Sequence, residues 1–159
     1  MMRAGIGYDC HPLAPGRKLV LGGVTIPFDK GLSGYSDADA AVHAIIDALC
    51  GAADLGDIGT NFPSTDPRYK DISSLVLLAK IGELVYKKGF TIANIDVTIV
   101  AQSPRLSPFF AEMKKQISRS LNIKPSQVAV KATTTDGVGS IGRGEGIAAL
   151  SVALIQGKG

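Results

Sequence analysis

The 159-residue sequence has no tryptophan, only two cysteines and no uninterrupted apolar run approaching the ~18 residues that would suggest a membrane-spanning helix. The N-terminal stretch MMRAGIGYDCHP reaches Asp9 and His11 before a signal-like apolar segment can develop, which predicts a soluble cytoplasmic protein. Cys10 and Cys50 form no CxxC unit, which argues against a disulfide scaffold, and in a reducing compartment both are expected to be free thiols. There is no basic tract, aromatic stacking pattern or zinc-finger spacing. The net charge of +3 is spread over dispersed lysines and arginines, which argues against nucleic-acid binding and leaves a small anionic ligand open. Repeats, low-complexity segments and linkers are also absent, so residues 1–159 read as a single domain. With 45% apolar residues, a chain of this size can bury roughly 70% of its unfolded surface without a structural metal.

What is present reads as alternating strands and helices. Residues 3 to 9 predict a strand, and Leu19–Leu21 and Val24–Ile26 flank a Gly22-Gly23 turn as a short hairpin. Ser36-Asp37-Ala38-Asp39 resembles a capping box before the helical spacing of AAVHAIIDALCGAADLG, which places His43 on a helix. Asp37 and Asp39 accordingly read as capping acids. GDIGTNFPSTDPRYKD predicts a long loop, and residues 72 to 88 a second helix closed by Gly89. IANIDVTIVA alternates as a strand, Ser107-Pro108 opens a third helix through about Leu121, and VAVKATTT and GIAALSVALI supply two further strands. The expected fold class is therefore α/β (α+β): a small mixed four-stranded sheet with helices on one face, plus the N-terminal hairpin. Helices too few to cover both faces predict self-assembly through the other one.

Asp9 and His11 are two apart, so on a strand their side chains share a face. With His43 from the helix they could hold a zinc ion and leave a position open. The same residues also have a structural reading, with His11 bonded to a turn and His43 filling the core. Cys10 points the opposite way. Asp39, His43 and Asp47 line one helical face, where Asp47 is either an orienting group or part of a solvated stripe. GVGSIG at 137–142 matches GxGxxG, but RGEG is a poor helix opening and too little chain follows for a dinucleotide-binding half, so a Rossmann site is rejected. Thr133, Thr134, Thr135 and Asp136 stand where a strand leaves the sheet. Arg105 and Arg143 could meet phosphate, and Arg143 could instead pair with Glu145.

The stretches GIGYDCH, SDADAAVHAIIDALCGAADLGDIGTNFP, DVTIVAQSP, KATTTD and GRGEGIA together resemble the 2-C-methyl-D-erythritol 2,4-cyclodiphosphate synthase family over essentially the whole chain. The resemblance implies a homotrimer with its sheets facing the central axis and its active sites between neighbouring subunits. It implies zinc ligands Asp9, His11 and His43, and a second divalent cation, magnesium or manganese, near Asp136, where the family has a glutamate. The implied catalytic set is therefore Asp9, His11, His43 and Asp136. The implied substrate is 4-diphosphocytidyl-2-C-methyl-D-erythritol 2-phosphate, which cyclises with release of CMP in the non-mevalonate route to isoprenoid precursors. Asp57, Ile58 and Gly59 would meet the methylerythritol part, and Ala101, Pro104, Leu106, Ala132, Thr133 and Thr134 the cytidine and diphosphate. Tyr35, Ser36, Arg105, Thr135 and Arg143 complete the expected substrate contacts. Tyr35 replaces a family histidine, and Ser140 replaces an aromatic residue. The same ligands would also suit a zinc phosphohydrolase, and the pocket residues a ligand sensor.

Overall fold

A computed structural model describes every residue from Met1 to Gly159. Strand β1 (Met2–Pro15) pairs antiparallel with β7 (Gly146–Gly157), which pairs antiparallel with β5 (Phe90–Val100). β5 in turn runs parallel to β6 (Val128–Thr133). The sheet has five strands in the order β4-β1-β7-β5-β6, not four. The additional strand is β4 (Lys30–Leu32), whose three residues pair with Leu13–Pro15 at the end of β1. Three residues are too few to show an alternation, and the partner is the part of β1 that runs on past the expected end at residue 9.

The hairpin of β2 (Leu19–Leu21) and β3 (Val24–Ile26) forms as expected. Both turn glycines have positive φ, the requirement of a tight two-residue turn. Helices α1 (Ala40–Ala53), α3 (Ser74–Lys87) and α4 (Phe110–Leu121) cover one face of the sheet, with Ile45, Ile46, Leu49, Leu78, Ile81, Ile95, Ile99 and Met113 buried between the layers. The expected long loop contains a one-turn helix α2 (Ile58–Asn61) and a 3₁₀ turn at Pro67–Tyr69, and a second one-turn helix, α5 (Gly139–Gly142), stands in the glycine-rich tail. Ser107 does not cap α4 with its side chain; a 3₁₀ turn at Ser107–Phe109 leads into the helix.

Asp39 alone caps α1. One carboxylate oxygen accepts from the Val42 and Gly22 N–H groups at 3.0 and 2.9 Å, and the other accepts from Gly23 N–H at 2.7 Å. The buried acid thus ties the hairpin turn to the helix start. Asp37 serves α3 instead, accepting the Ser74 N–H at 2.9 Å at that helix's N-terminal end. No capping box forms, because Asp39 is the N-cap and the third helical position is Val42, which has no side-chain acceptor; Asp37 accepts the Asp39 N–H at 3.2 Å as well as that of Ser74.

Alternation along β1 sends Gly5, Gly7, Asp9 and His11 toward α1 and leaves Ile6, Tyr8 and Cys10 exposed on the other face. A Cβ at Gly7 would lie 1.9 Å from the Ala44 carbonyl oxygen, and one at Gly5 2.0 Å from that of Ala48. Ala44, Ala48 and Ala52, spaced by four, complete the contact. Strand and helix backbones meet directly, with no side chain able to yield. Cys50 is packed inside α1, where burial pushes its thiol up to about 12, the behaviour of an inert core cysteine. No helix is long and apolar enough to cross a membrane.

Gly7→Ala is expected to lower stability by about 3 kcal/mol, because the helix must move off the strand. The urea midpoint of the variant against that of the parent measures it.

Candidate metal centre and adjoining cavities

The close approach of β1 to α1 brings Asp9, His11 and His43 together. Asp9 Oδ2 lies 2.8 Å from His11 Nε2 and 3.0 Å from His43 Nδ1, and the two ring nitrogens are 3.2 Å apart. These separations sit just inside the edge of roughly 3.3 Å that a tetrahedron with bonds near 2.0–2.1 Å requires.

The outer hydrogen bonds assign the tautomers. The other ring nitrogen of His11, Nδ1, faces the Ser33 carbonyl oxygen at 3.1 Å, and a carbonyl only accepts, so Nδ1 carries the proton. His43 Nε2 lies 2.8 Å from Ser74 Oγ and 3.1 Å from Ser36 Oγ. Ser74 gives its own hydroxyl proton to Asp37, so its oxygen accepts from His43. In the neutral rings, His11 Nε2 and His43 Nδ1 therefore both present lone pairs toward each other and toward a carboxylate. Three acceptors with no donor among them require a cation, and the Asp, His, His donor set fits a divalent metal. Without metal, protons take that role. The Asp9 hydrogen bond holds His11 above its ordinary value against the opposing effect of burial. Burial works to raise Asp9, but hydrogen bonds from both rings outweigh it and keep the carboxyl below the usual carboxylate range.

The triad opens into a cavity of about 220 Å³ that is also lined by Tyr35, Ser36, Ile58, Gly59, Phe62, Ser64, Tyr69 and Leu77. Four expected substrate contacts, Tyr35, Ser36, Ile58 and Gly59, thus share the cavity with the ligands. Asp57 stands beside it and caps α2 through Thr60 N–H at 2.7 Å. Asp47 accepts the Ile58 N–H at 2.8 Å, which fastens α2 to α1 and gives this acid an anchoring role; burial raises its carboxyl. The Tyr35 hydroxyl donates to the Asp66 carbonyl at 3.0 Å, joining the segment before α1 to the far side of the same loop.

A second cavity, of about 330 Å³, is lined by Ala101, Gln102, Pro104, Arg105, Leu106, Ser107, Phe110, Ala132, Thr133 and Thr134. It lies at the same end of the sheet as the triad, since Asp9 pairs with Ala149, Ala149 with Ile99, and Ile99 with Ala132. Three strand spacings separate β1 from β6, about 14 Å. Asp136 stays apart from the triad, at positive φ in a turn where its carboxylate accepts from Thr134 Oγ1 at 3.2 Å. Thr135 donates to the Val138 carbonyl and Arg143 pairs with Glu145 at 2.9 Å, and neither is in the lining of these two cavities. Sequence reasoning missed Ser33, which acts through a backbone carbonyl and has no side-chain signal. It also missed Ser74 and Leu77, which reach the site from another helix, and Phe62 and Tyr69, whose rings meet edge to face at 5.4 Å.

The YgbB family model matches residues 2–156. A 2-C-methyl-D-erythritol 2,4-cyclodiphosphate synthase of Pelotomaculum thermopropionicum is 58% identical over 99% of this chain and 98% of its own length, and that of Moorella thermoacetica is 56% identical over 97% and 94%. Among solved structures, IspF of Plasmodium falciparum in complex with CDP superposes with a TM-score of 0.88 at 35% identity, covering 99% of this chain and 97% of its own. The bifunctional IspDF of Campylobacter jejuni gives 0.95 at 40% identity; it covers 99% of this chain, which spans 42% of that longer polypeptide.

Ser74→Ala is expected to weaken metal binding 10- to 100-fold, because His43 loses the acceptor that fixes its proton on Nε2. Competition against a chromogenic chelator measures the change.

Proposed function

The chain belongs to the YgbB family of 2-C-methyl-D-erythritol 2,4-cyclodiphosphate synthases, and we infer from that membership that it cyclises 4-diphosphocytidyl-2-C-methyl-D-erythritol 2-phosphate to the 2,4-cyclodiphosphate with release of CMP. An oxygen of the substrate's 2-phosphate bonds to the β-phosphorus, the bond from that phosphorus to the oxygen shared with the α-phosphorus breaks, and CMP departs with that oxygen. The substrate supplies its own nucleophile. The protein's task is to fold back a flexible polyanion so that attacking and leaving oxygens lie in line.

The observation that carries this reading is the convergence of three electron-pair donors beside a loop-walled cavity. Asp9, His11 and His43 hold zinc, and Asp136, with its exposed carboxylate beside Thr134, serves a second ion, magnesium or manganese. When bound, these ions supply positive charge that polarises the diphosphate and eases the approach of a second anion. Asp57, Ile58 and Gly59 position the methylerythritol part, with Tyr35 and Ser36 contributing to the lining of the same cavity. Ala101, Pro104, Leu106 and Ala132 receive the cytidine, while Arg105, Thr133, Thr134, Thr135 and Arg143 serve the phosphates. Arg105 Nε donates to Ser107 Oγ at 3.0 Å, and both residues line the second cavity.

Completion of the site between neighbours in a homotrimer is part of the same proposal. The two cavities share no lining residue. The sheet face opposite the helices carries Ile6 (70% exposed) paired with Val152 (49%) and Tyr8 (59%) paired with Leu150 (41%), an apolar row that calls for a partner surface.

Purified protein loaded with zinc and supplied with Mg²⁺ should form CMP and cyclic diphosphate in equal amounts by phosphorus-31 NMR, and chelation should stop it; release of inorganic phosphate would instead identify a hydrolase. His43→Ala should lose stoichiometric zinc and reduce turnover by about a hundredfold or more. Val152→Glu should convert a trimer to monomers in light scattering, because it buries a charge in the apolar row.

A further inference from the structure

We propose that Arg17 is a positioning residue that orients both histidines of the triad, although it touches neither. The inference rests on the metal-site reading above and adds the group that holds its outer shell. Ser33 gives His11 its acceptor, and Ser36 Oγ flanks His43 Nε2 at 3.1 Å as a second contact beside Ser74; the two serines stand at the ends of a four-residue segment between β4 and the start of α1. Arg17 grips that segment on both sides. Its Nε donates to the Leu32 carbonyl at 2.9 Å, and its Nη2 donates to the Ser36 carbonyl at 3.2 Å, with a longer contact to Gly34 at 3.4 Å.

Nothing else holds the segment at so many points. Ser33 N–H reaches the Pro12 carbonyl at 2.9 Å, and the Tyr35 carbonyl accepts from Asp71 N–H at 2.9 Å. The fold brings the guanidinium there by a close crossing: a Cβ on Gly31 would lie 2.4 Å from the Arg17 carbonyl oxygen and 2.2 Å from that of Lys18, so residues 17–18 pass directly over β4. Every hydrogen bond of Arg17 goes to a carbonyl, and no carboxylate pairs with it. Its planar fork therefore acts on backbone position, a task a single ammonium does less well. Gly34 in turn lies flat against His11, where a Cβ would stand 3.0 Å from ring atoms Cε1 and Nδ1, so a shift of the segment is transmitted to that ring.

The test compares Arg17→Met, Arg17→Lys and, as a control, Lys88→Met. Lys88 also donates to backbone carbonyls, those of Ala53 and Asp54 at the far end of α1. Two readouts are needed: zinc affinity by chelator competition, and histidine tautomers of the metal-free protein by nitrogen-15 NMR. Arg17→Met should weaken zinc binding 10- to 100-fold and lose the population of His11 protonated on Nδ1. Arg17→Lys should recover part of both, and Lys88→Met should lower Tm while leaving both at parent values. Zinc affinity within twofold of the parent together with unchanged tautomers in Arg17→Met would overturn the proposal, as would equal losses in Lys88→Met. Should Arg17→Met fail to fold, parent-like values in Arg17→Lys overturn it, and intermediate ones support it. If the parent protein itself takes up no zinc, the metal reading fails, and the tautomer readout still decides the role of Arg17.

Discussion

The contact between β1 and α1 sets the position of everything else. Most strand-on-helix packing is mediated by side chains that adjust by changing rotamer, but Gly5 and Gly7 let the strand backbone rest against the helix carbonyls themselves. Such a contact has almost no compliance. Asp9 and His11 follow on the same strand face, and His43 lies one residue before Ala44, the alanine whose carbonyl Gly7 touches. Ligand separations near 3 Å are thus inherited from a backbone distance and need no mobile side chain to find them.

Around that contact the polar groups are arranged so that each acid has a distinct task. Asp39 gathers three N–H groups from two elements, Asp37 receives the start of α3 and the Ser74 hydroxyl, and Asp47 receives Ile58. No buried side-chain nitrogen or oxygen lacks a hydrogen-bond partner. Burial raises the Asp39 carboxyl to about 6, with the neighbouring charge of Asp37 adding to the effect, even though the Val42 and Gly23 N–H groups pull the other way. A group this exposed to competing influences marks where the chain concentrates polarity inside an apolar layer, and it does so at the entry to the helix that carries His43.

Much of this was legible in the sequence. The hairpin, the helix carrying His43, the strand read at residues 92–101 and the convergence of Asp9, His11 and His43 all rest on periodicity or on motif stretches. The misses have a common physical origin. β4 is too short to show alternation, and its existence depends on the far end of β1 having no other partner. The one-turn helices in the loop and tail are held by single long-range or tight-turn contacts, such as Asp47 to Ile58 N–H and the packing of Gly142 against Gly137. Asp37 and Asp39 are two residues apart in one motif, yet they cap different helices because α3 returns to the same place. Such juxtapositions belong to tertiary structure, and no local window contains them.

The alternation of β1 has one more consequence. Its odd positions between Gly5 and His11 face the helix with glycines and ligands, and its even positions present Ile6, Tyr8 and Cys10 outward. A single inserted or deleted residue within this stretch would exchange the two sets, turning the carboxylate and imidazole out and driving aromatic and aliphatic side chains into the α1 carbonyls. Point substitutions here are graded in effect, but a change of length is not. The length of β1 between Gly5 and His11 is therefore as much a part of the site as the ligands it carries.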